Sequence, residues 1–245
     1  MTLREWSGKT YWLVGASDGL GAALAEVMSR SGAELVLSAR SSEKLAEMVA
    51  RLPGAARSVP MDIADDASVA AAAQEVGAVD GIVLLAGVYW PFSARDWNAE
   101  AATAMADVNF TGFIRVLGQV VPDMVARDDG HIVITSSLTA FRGLPGSIGY
   151  TASKAGTLSL AESMYCDLRK TGVEVQVCNP GFIRTRMTDK NDFDMPAIME
   201  PEAAAREMFE HMNSGAFKKS FPYGFSLVFR LGQFLPDWLY YRIFS

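Results

Sequence analysis

The chain has 245 residues, half of them hydrophobic, and a formal net charge of −6. That length suits one α/β domain, or at most two small ones, with ample apolar material for a single large core. The acidic balance argues against a nucleic-acid partner, because phosphate binding needs a basic face and no basic run of that kind appears.

In chain order, residues 1–9 are polar and short, which does not fit a signal peptide. Residues 11–14 then read as a short apolar strand and 20–31 as a helix. A second strand (34–38) and helix (42–51) follow, then a third strand (56–60) and helix (67–76). Residues 80–86 are apolar without alternation, as expected of a strand buried on both faces. A long helix is predicted over 97–127, interrupted in its last part by Pro122. The fifth strand falls at 131–135, a helix at 150–170 and a sixth strand at 174–178, and 217–221 is a candidate seventh. Repeated βαβ units imply a single-domain, Rossmann-like, doubly wound parallel sheet of about seven strands, with helices on both faces. No linker divides the chain, and no apolar run reaches transmembrane length. Cys166 and Cys178 form no framework; both are expected to be reduced and buried, as in a cytoplasmic protein. His131 and His211 lie far apart with no spaced cysteines, so no metal site is expected.

Between the first strand and helix lies Gly15-Ala16-Ser17-Asp18-Gly19-Leu20-Gly21. Glycines let a backbone turn tightly and approach a pyrophosphate, and a helix N-terminus favours its negative charge. In dinucleotide folds an acid ending the second strand usually binds the ribose 2′-hydroxyl. Here Ala39 and Arg40 stand there. An arginine pairs with a 2′-phosphate as a fork, so NADP(H) is expected over NAD(H). Asp18 runs the other way, since an acid near phosphates is unhelpful.

Tyr150 and Lys154 lie four apart, and Ser137 ends an apolar run thirteen residues before the tyrosine. On a helix, residues four apart share a face. A lysine ammonium there favours the phenolate and lowers the tyrosine pKa, which is about 10 when unperturbed. A tyrosine so tuned can exchange a proton with a carbonyl or alcohol oxygen. The spacing alone is weak evidence: seven tyrosines give roughly a 0.3 chance of one such pair by accident. Motif order is what strengthens it.

Together these motifs resemble those of the short-chain dehydrogenase/reductase family, from about Gly8 to about Thr188. The resemblance implies a nicotinamide cofactor and oxidoreduction of an alcohol or carbonyl. It implies catalytic roles for Asn109, Ser137, Tyr150 and Lys154, with Asn109 kinking the long helix and helping to link the lysine to solvent through a water. Cofactor contacts are implied for Gly15, Ser17, Gly19, Leu20 and Gly21 in the loop, and for Arg40 after the second strand. They are implied also for Asp62 and Ile63 after the third strand, Ala86 and Gly87 after the fourth, and Pro180, Gly181, Ile183 and Thr185 after the sixth, besides Tyr150 and Lys154 themselves. Two positions depart from the family pattern. Val14 stands where a threonine is frequent, and Leu84-Leu85 stand where two asparagines brace the neighbouring loops, so bracing here must come from packing.

The substrate end is apolar and aromatic. Val88, Tyr89 and Trp90, then Leu138, Phe141 and Leu144, then Phe182, Met187, Phe193 and Met195 are expected to line it, although about half should simply pack in the core. Such walls suit an apolar alcohol, ketone or aldehyde. Arg184 and Arg186 are the candidates for meeting an anionic substrate instead. Residues 222–245 form an apolar, aromatic extension with interleaved arginines. Packing as a lid or subunit interface is preferred there over contact with a membrane surface, and a homodimer or homotetramer is expected. The leading function is an NADP(H)-dependent carbonyl reductase or alcohol dehydrogenase. The alternatives are a non-catalytic NAD(P)-binding regulatory protein on the same fold and a sugar-nucleotide epimerase or dehydratase, for whose added domain the chain has no room.

Overall fold

The computed structural model describes residues 4–191 and 193–244. Residues 1–3 of the polar N-terminal stretch, Asp192 and the final residue of the extension, Ser245, lie outside the described residues. Seven strands pair into one sheet: β1 (Thr10–Val14), β2 (Glu34–Ser38), β3 (Ala56–Ser58), β4 (Gly81–Leu84), β5 (Gly130–Thr135), β6 (Val173–Pro180) and β7 (Lys218–Phe221). Their order is β3-β2-β1-β4-β5-β6-β7, every neighbouring pair parallel. This is the doubly wound Rossmann-like arrangement that the βα rhythm implied. The strand order reverses between β1 and β4, which opens a crevice at their C-terminal ends.

The strand period of two sorts the core into two layers. Trp12, Val14, Ile82, Leu84, Ile132 and Ile134 point to one face. There they meet α3 (Asp66–Val76), α5 (Gly112–Arg127) and α6 (Ile148–Leu168). Tyr11, Leu13, Leu35, Leu37, Val83 and Val133 point to the other, covered by α1 (Gly19–Arg30), α2 (Ser42–Arg51) and α7 (Pro201–Met212). Because both faces are covered, β4 and β5 are buried at every residue and show no alternation.

The long predicted helix departs from expectation in an instructive way. It is α4 (Ala99–Ala106), a π-helical turn (Asp107–Thr111) and then α5, which runs unbroken through Pro122. A helical proline crowds the carbonyl four residues back. Here that residue is Gly118, exposed and with open space around it, so the helix absorbs the strain. The break comes earlier, where Gly112 presses on Ile63: a Cβ there would lie 2.8 Å from the Ile63 side chain.

Helix α7 was not anticipated, although Pro201 in its first turn is a start signal and Ala204, Ala205, Met208 and Met212 bury one face at helical spacing. Cys166, expected to be buried, falls on the solvent side of α6; Cys178, in β6, is buried as expected. After β7 the extension folds into α8 (Tyr223–Gly232) and α9 (Asp237–Phe244).

Candidate active site

The glycine loop sits at the crevice, and its shape depends on close self-packing. A Cβ on Gly15 would lie 2.4 Å from the Ala86 nitrogen, and one on Gly21 would lie 2.1 Å from the Gly15 carbonyl oxygen. Gly15 also has φ +98°, a conformation that side chains disfavour. Gly19 is pressed by Thr185, whose Cγ2 would be 2.8 Å from an added Cβ. The loop therefore meets two other predicted cofactor segments, Ala86 and Thr185.

Asp18 caps α1, its Oδ1 accepting from the Gly19 N–H at 2.8 Å. The Ala22 N–H is taken by the Asp18 carbonyl at 3.3 Å. That leaves the Leu20 and Gly21 N–H groups for an anion, in the favourable field of a helix start. The Asp18 carboxylate is not the liability it seemed from sequence. Partial burial works to raise its pKa, but the Gly19 bond and the cations of Arg186 and Lys44 outweigh that and hold it below the usual range.

Arg40 stands exposed just past β2, and no ion pair engages it among the described residues. Ser41, next to it, caps α2 by accepting from the Lys44 N–H at 3.3 Å. Asp62 is partly buried and steadies the turn after β3, its Oδ1 accepting from the Ala64 N–H at 3.0 Å. The glycine cradle, the open first-turn N–H groups and the unengaged arginine fit a dinucleotide phosphate chain. A cleft of about 360 Å³ beside this loop, lined by Ser17, Gly19, Lys44 and Thr185 among others, contains none of the four predicted catalytic residues. It is a side opening between α1, α2 and the segment after β6.

Those four residues come together on the other side of Gly87. Asn109 is completely buried within the π-helical turn. Its Oδ1 accepts from the Val88 N–H at 2.8 Å, and its Nδ2 donates to the Val88 carbonyl at 2.9 Å and to Ser153 Oγ at 3.1 Å. It thus ties the loop after β4 to α6. The bracing that Leu84 and Leu85 cannot supply by hydrogen bonds comes from Asn109, from their packing in the two core layers, and from the Leu85 and Ala86 N–H groups. Both of these donate to the Val14 carbonyl.

Ser137 is buried and caps the short 3₁₀ turn Leu138–Phe141; its Oγ accepts from the Thr139 N–H at 3.2 Å and the Thr139 hydroxyl at 3.1 Å. Tyr150 is half-buried, its ring edge-on to Tyr89 with centroids 5.2 Å apart. Lys154, one turn along α6, is buried and donates from Nζ to the Thr135 carbonyl at 2.9 Å. That nitrogen lies 5.8 Å from the centre of the Tyr150 ring, and a Cβ on Gly87 would come within 3.9 Å of it.

The expected acidification of the tyrosine is not what these surroundings produce. Burial pushes Tyr150 up to about 12, a hydrogen bond with Ser137 offsetting part of the rise and Tyr89 adding to it. Lys154 is pulled down to about 8 by burial. The lysine donates its hydrogen bond to the Thr135 carbonyl rather than to the tyrosine, and burial lowers its own pKa.

On the substrate side the predicted residues divide. Leu138 is core. Phe182, Phe193, Phe225 and Phe229 form a ladder of rings at 5.1–5.9 Å linking the segment after β6 to α8. Met187 lies against the Gly87 backbone, 3.5 Å from where a Cβ would be. The two loop arginines are paired, Arg184 with Glu200 at 2.8 Å and Arg186 with Asp18, both as exposed ion pairs.

Two residues missed in the sequence matter here. Lys190 donates to the Tyr89 carbonyl at 2.7 Å and lies over the Trp90 ring, clamping the segment after β6 onto the loop after β4. Arg142 stacks on Tyr240 at 4.0 Å, donates to the Leu235 carbonyl at 2.6 Å and pairs with Asp237, fastening the extension to the loop after Ser137. Neither carries a local sequence signal, since each partner is distant in the chain.

Comparison with known proteins bears on the family and the fold. The sequence profile described as short chain dehydrogenase matches residues 9–195. An uncharacterized oxidoreductase of Myxococcus xanthus is 35% identical over 245 residues, covering 97% of each chain. A short-chain dehydrogenase from Sphingobium yanoikuyae, solved in complex with NADPH, is 26% identical with a TM-score of 0.83, covering 91% of each chain. A family member from Burkholderia phymatum, solved with NAD, shares the fold at a TM-score of 0.86 and 24% identity over 94% of each chain. Matched over most of its length and folded like solved members, this chain belongs to the short chain dehydrogenase family and is a nicotinamide-dependent oxidoreductase of that type.

Proposed function

We propose that the chain is an NADP(H)-dependent carbonyl reductase or alcohol dehydrogenase for apolar substrates, with Tyr150 as the general acid/base. The observation that carries this reading is the convergence of Ser137, Tyr150 and Lys154 beside Gly87, where the loop after β4 also meets Asn109. The loop from Gly15 to Gly21, with Asp62, Ile63, Ala86 and the segment 180–185, would hold the cofactor, which when bound supplies or accepts a hydride. Ser137 orients the substrate oxygen by donating a hydrogen bond. Tyr150 gives that oxygen a proton in reduction, or takes one in oxidation. With its pKa pushed up to about 12, Tyr150 is protonated at neutral pH, which suits donation to a carbonyl. Lys154 lies close enough to its ring to stabilise the phenolate left behind. Asn109 acts as a positioning residue, holding Val88 and Ser153.

The unengaged guanidinium of Arg40, with Asp18 already neutralised, supports NADP(H) over NAD(H). The aromatic ladder supports an apolar substrate. We further propose a single domain with residues 222–245 as a lid, a homodimer or homotetramer, and a cytoplasmic location. The non-catalytic reading is not favoured, since all four catalytic residue types are present and close together.

The test is fluorescence titration of NADPH and NADH with the wild type, Arg40→Ala and Tyr150→Phe, followed by turnover of apolar ketones and aldehydes. Arg40→Ala should weaken NADPH selectively; Tyr150→Phe should bind cofactor normally and not turn over. Tighter binding of NADH by the wild type would refute the cofactor preference, and retained turnover in Tyr150→Phe would refute the mechanism.

A further inference from the structure

The two C-terminal helices use only one side for packing. Ser226, Gly232 and Tyr240 are buried against the body, and the Tyr240 hydroxyl donates to the Gly143 carbonyl at 2.8 Å. The other side leaves Tyr223, Val228, Leu231, Phe234, Trp238, Tyr241 and Ile243 in solvent, Phe234 at 79% exposure and Trp238 at 70%. Single exposed apolar residues are ordinary; seven large ones within one short extension are not.

Charge separates this extension from the rest of the molecule. Residues 222–245 contain Arg230, Arg242 and Asp237, a net of +1, so the remainder of a chain at −6 carries −7. Asp237 is taken up by Arg142. Arg230 and Arg242 are exposed and have no carboxylate partner among the described residues. The outward side is therefore apolar and aromatic with two free cations, on a protein that is otherwise acidic.

We propose that this side seats on an anionic membrane surface. Tryptophan and tyrosine favour the headgroup level of a bilayer, leucine, phenylalanine and isoleucine its acyl boundary, and arginine its anionic headgroups. No helix among the described residues is long and apolar enough to cross a membrane, so the contact is with the surface. A second copy of the chain fits less well. Two-fold pairing would set this patch against itself and bring Arg230 and Arg242 together with their own counterparts, with the one local carboxylate already engaged. The inward side meanwhile packs on the body, so the proposed lid and the membrane contact would use different faces of the same helices.

Co-sedimentation of the full chain with phosphatidylcholine vesicles, with and without phosphatidylglycerol, tests this. The wild type should pellet with the anionic vesicles and much less with the neutral ones. Arg230→Glu/Arg242→Glu should lose on the order of tenfold or more in partitioning to the anionic vesicles. Phe234→Ser/Trp238→Ser should lose binding while keeping the wild-type melting temperature and sedimentation coefficient. Absence of vesicle binding, or binding by both double variants equal to that of the wild type, would overturn the proposal. So would a changed sedimentation coefficient in Phe234→Ser/Trp238→Ser, which would identify a second copy as the occupant.

Discussion

Replacing Arg142 with alanine should release the C-terminal helices while leaving the sheet intact. The guanidinium is mostly sheltered, with 15% of the side chain exposed. Its bond to the Leu235 carbonyl is charge-assisted and worth about 1.5–3 kcal/mol. Stacking on Tyr240 adds about 0.5–1 kcal/mol. Asp237 is 84% exposed, so that ion pair adds at most about 1 kcal/mol. The sum is about 3 kcal/mol, or roughly a hundredfold in the opening equilibrium of α9. Hydrogen exchange read by mass spectrometry resolves this directly: protection over 237–244 should fall about a hundredfold, while protection in β4 and β5 stays unchanged. Arg142→Lys should rescue little, because an ammonium cannot serve carbonyl, carboxylate and ring together. Unchanged protection in α9, or an equal loss in the central strands, would refute the assignment of Arg142 as the fastening.

Two further outcomes follow from the packing. Gly21→Ala should abolish cofactor binding at any practical concentration, since its Cβ would lie 2.1 Å from the Gly15 carbonyl oxygen and force the loop open; near-normal titration would mean the loop yields to a side chain at no cost. Acid should destabilise the fold well above the carboxylate range. Burial pushes His131 down to about 3 from an ordinary 6.5, with Arg4 adding to the fall and Gln176 opposing it. A depressed folded pKa means its contribution is fully present above 6.5 and is lost as pH falls toward 3, at about 1.4 kcal/mol per unit. Urea unfolding between pH 7 and pH 4.5 should show this slope, and His131→Asn should flatten it; parallel profiles for the two proteins would sink the reasoning.

Local pattern made the sheet legible. Unbroken apolar runs at β4 and β5 announced strands covered on both faces, and the glycine loop and Tyr150–Lys154 spacing fixed where the crevice and the helix α6 had to fall. What escaped depends on contacts between distant residues. Pro122 looked like a helix breaker because the tolerance of Gly118 is a matter of exposure, whereas the π-helical turn at 107–111 falls at Asn109, where the family resemblance implied a kink. The direction of the tyrosine shift was read from one neighbour in sequence, but burial, a tertiary property, sets it, with Ser137 and Tyr89 as the other groups that act on the ring. Arg186 and Asp18 are 168 residues apart, so no spacing rule brings them together.

That last pair explains how the two halves of the site are joined. The segment 182–199 touches the glycine loop through Thr185 and Arg186, the loop after β4 through Met187 and Lys190, and the extension through Phe182. Its polar fastenings are exposed: Arg186 and Asp18 are 69% and 48% in solvent, Arg184 and Glu200 59% and 58%. Ion pairs of that kind contribute about 0–1 kcal/mol each. By contrast Asn109, which holds the loop after β4 to α6, is fully buried and makes three hydrogen bonds from its side chain. The catalytic side is thus held by buried hydrogen bonds, and the segment after β6 by exposed ion pairs.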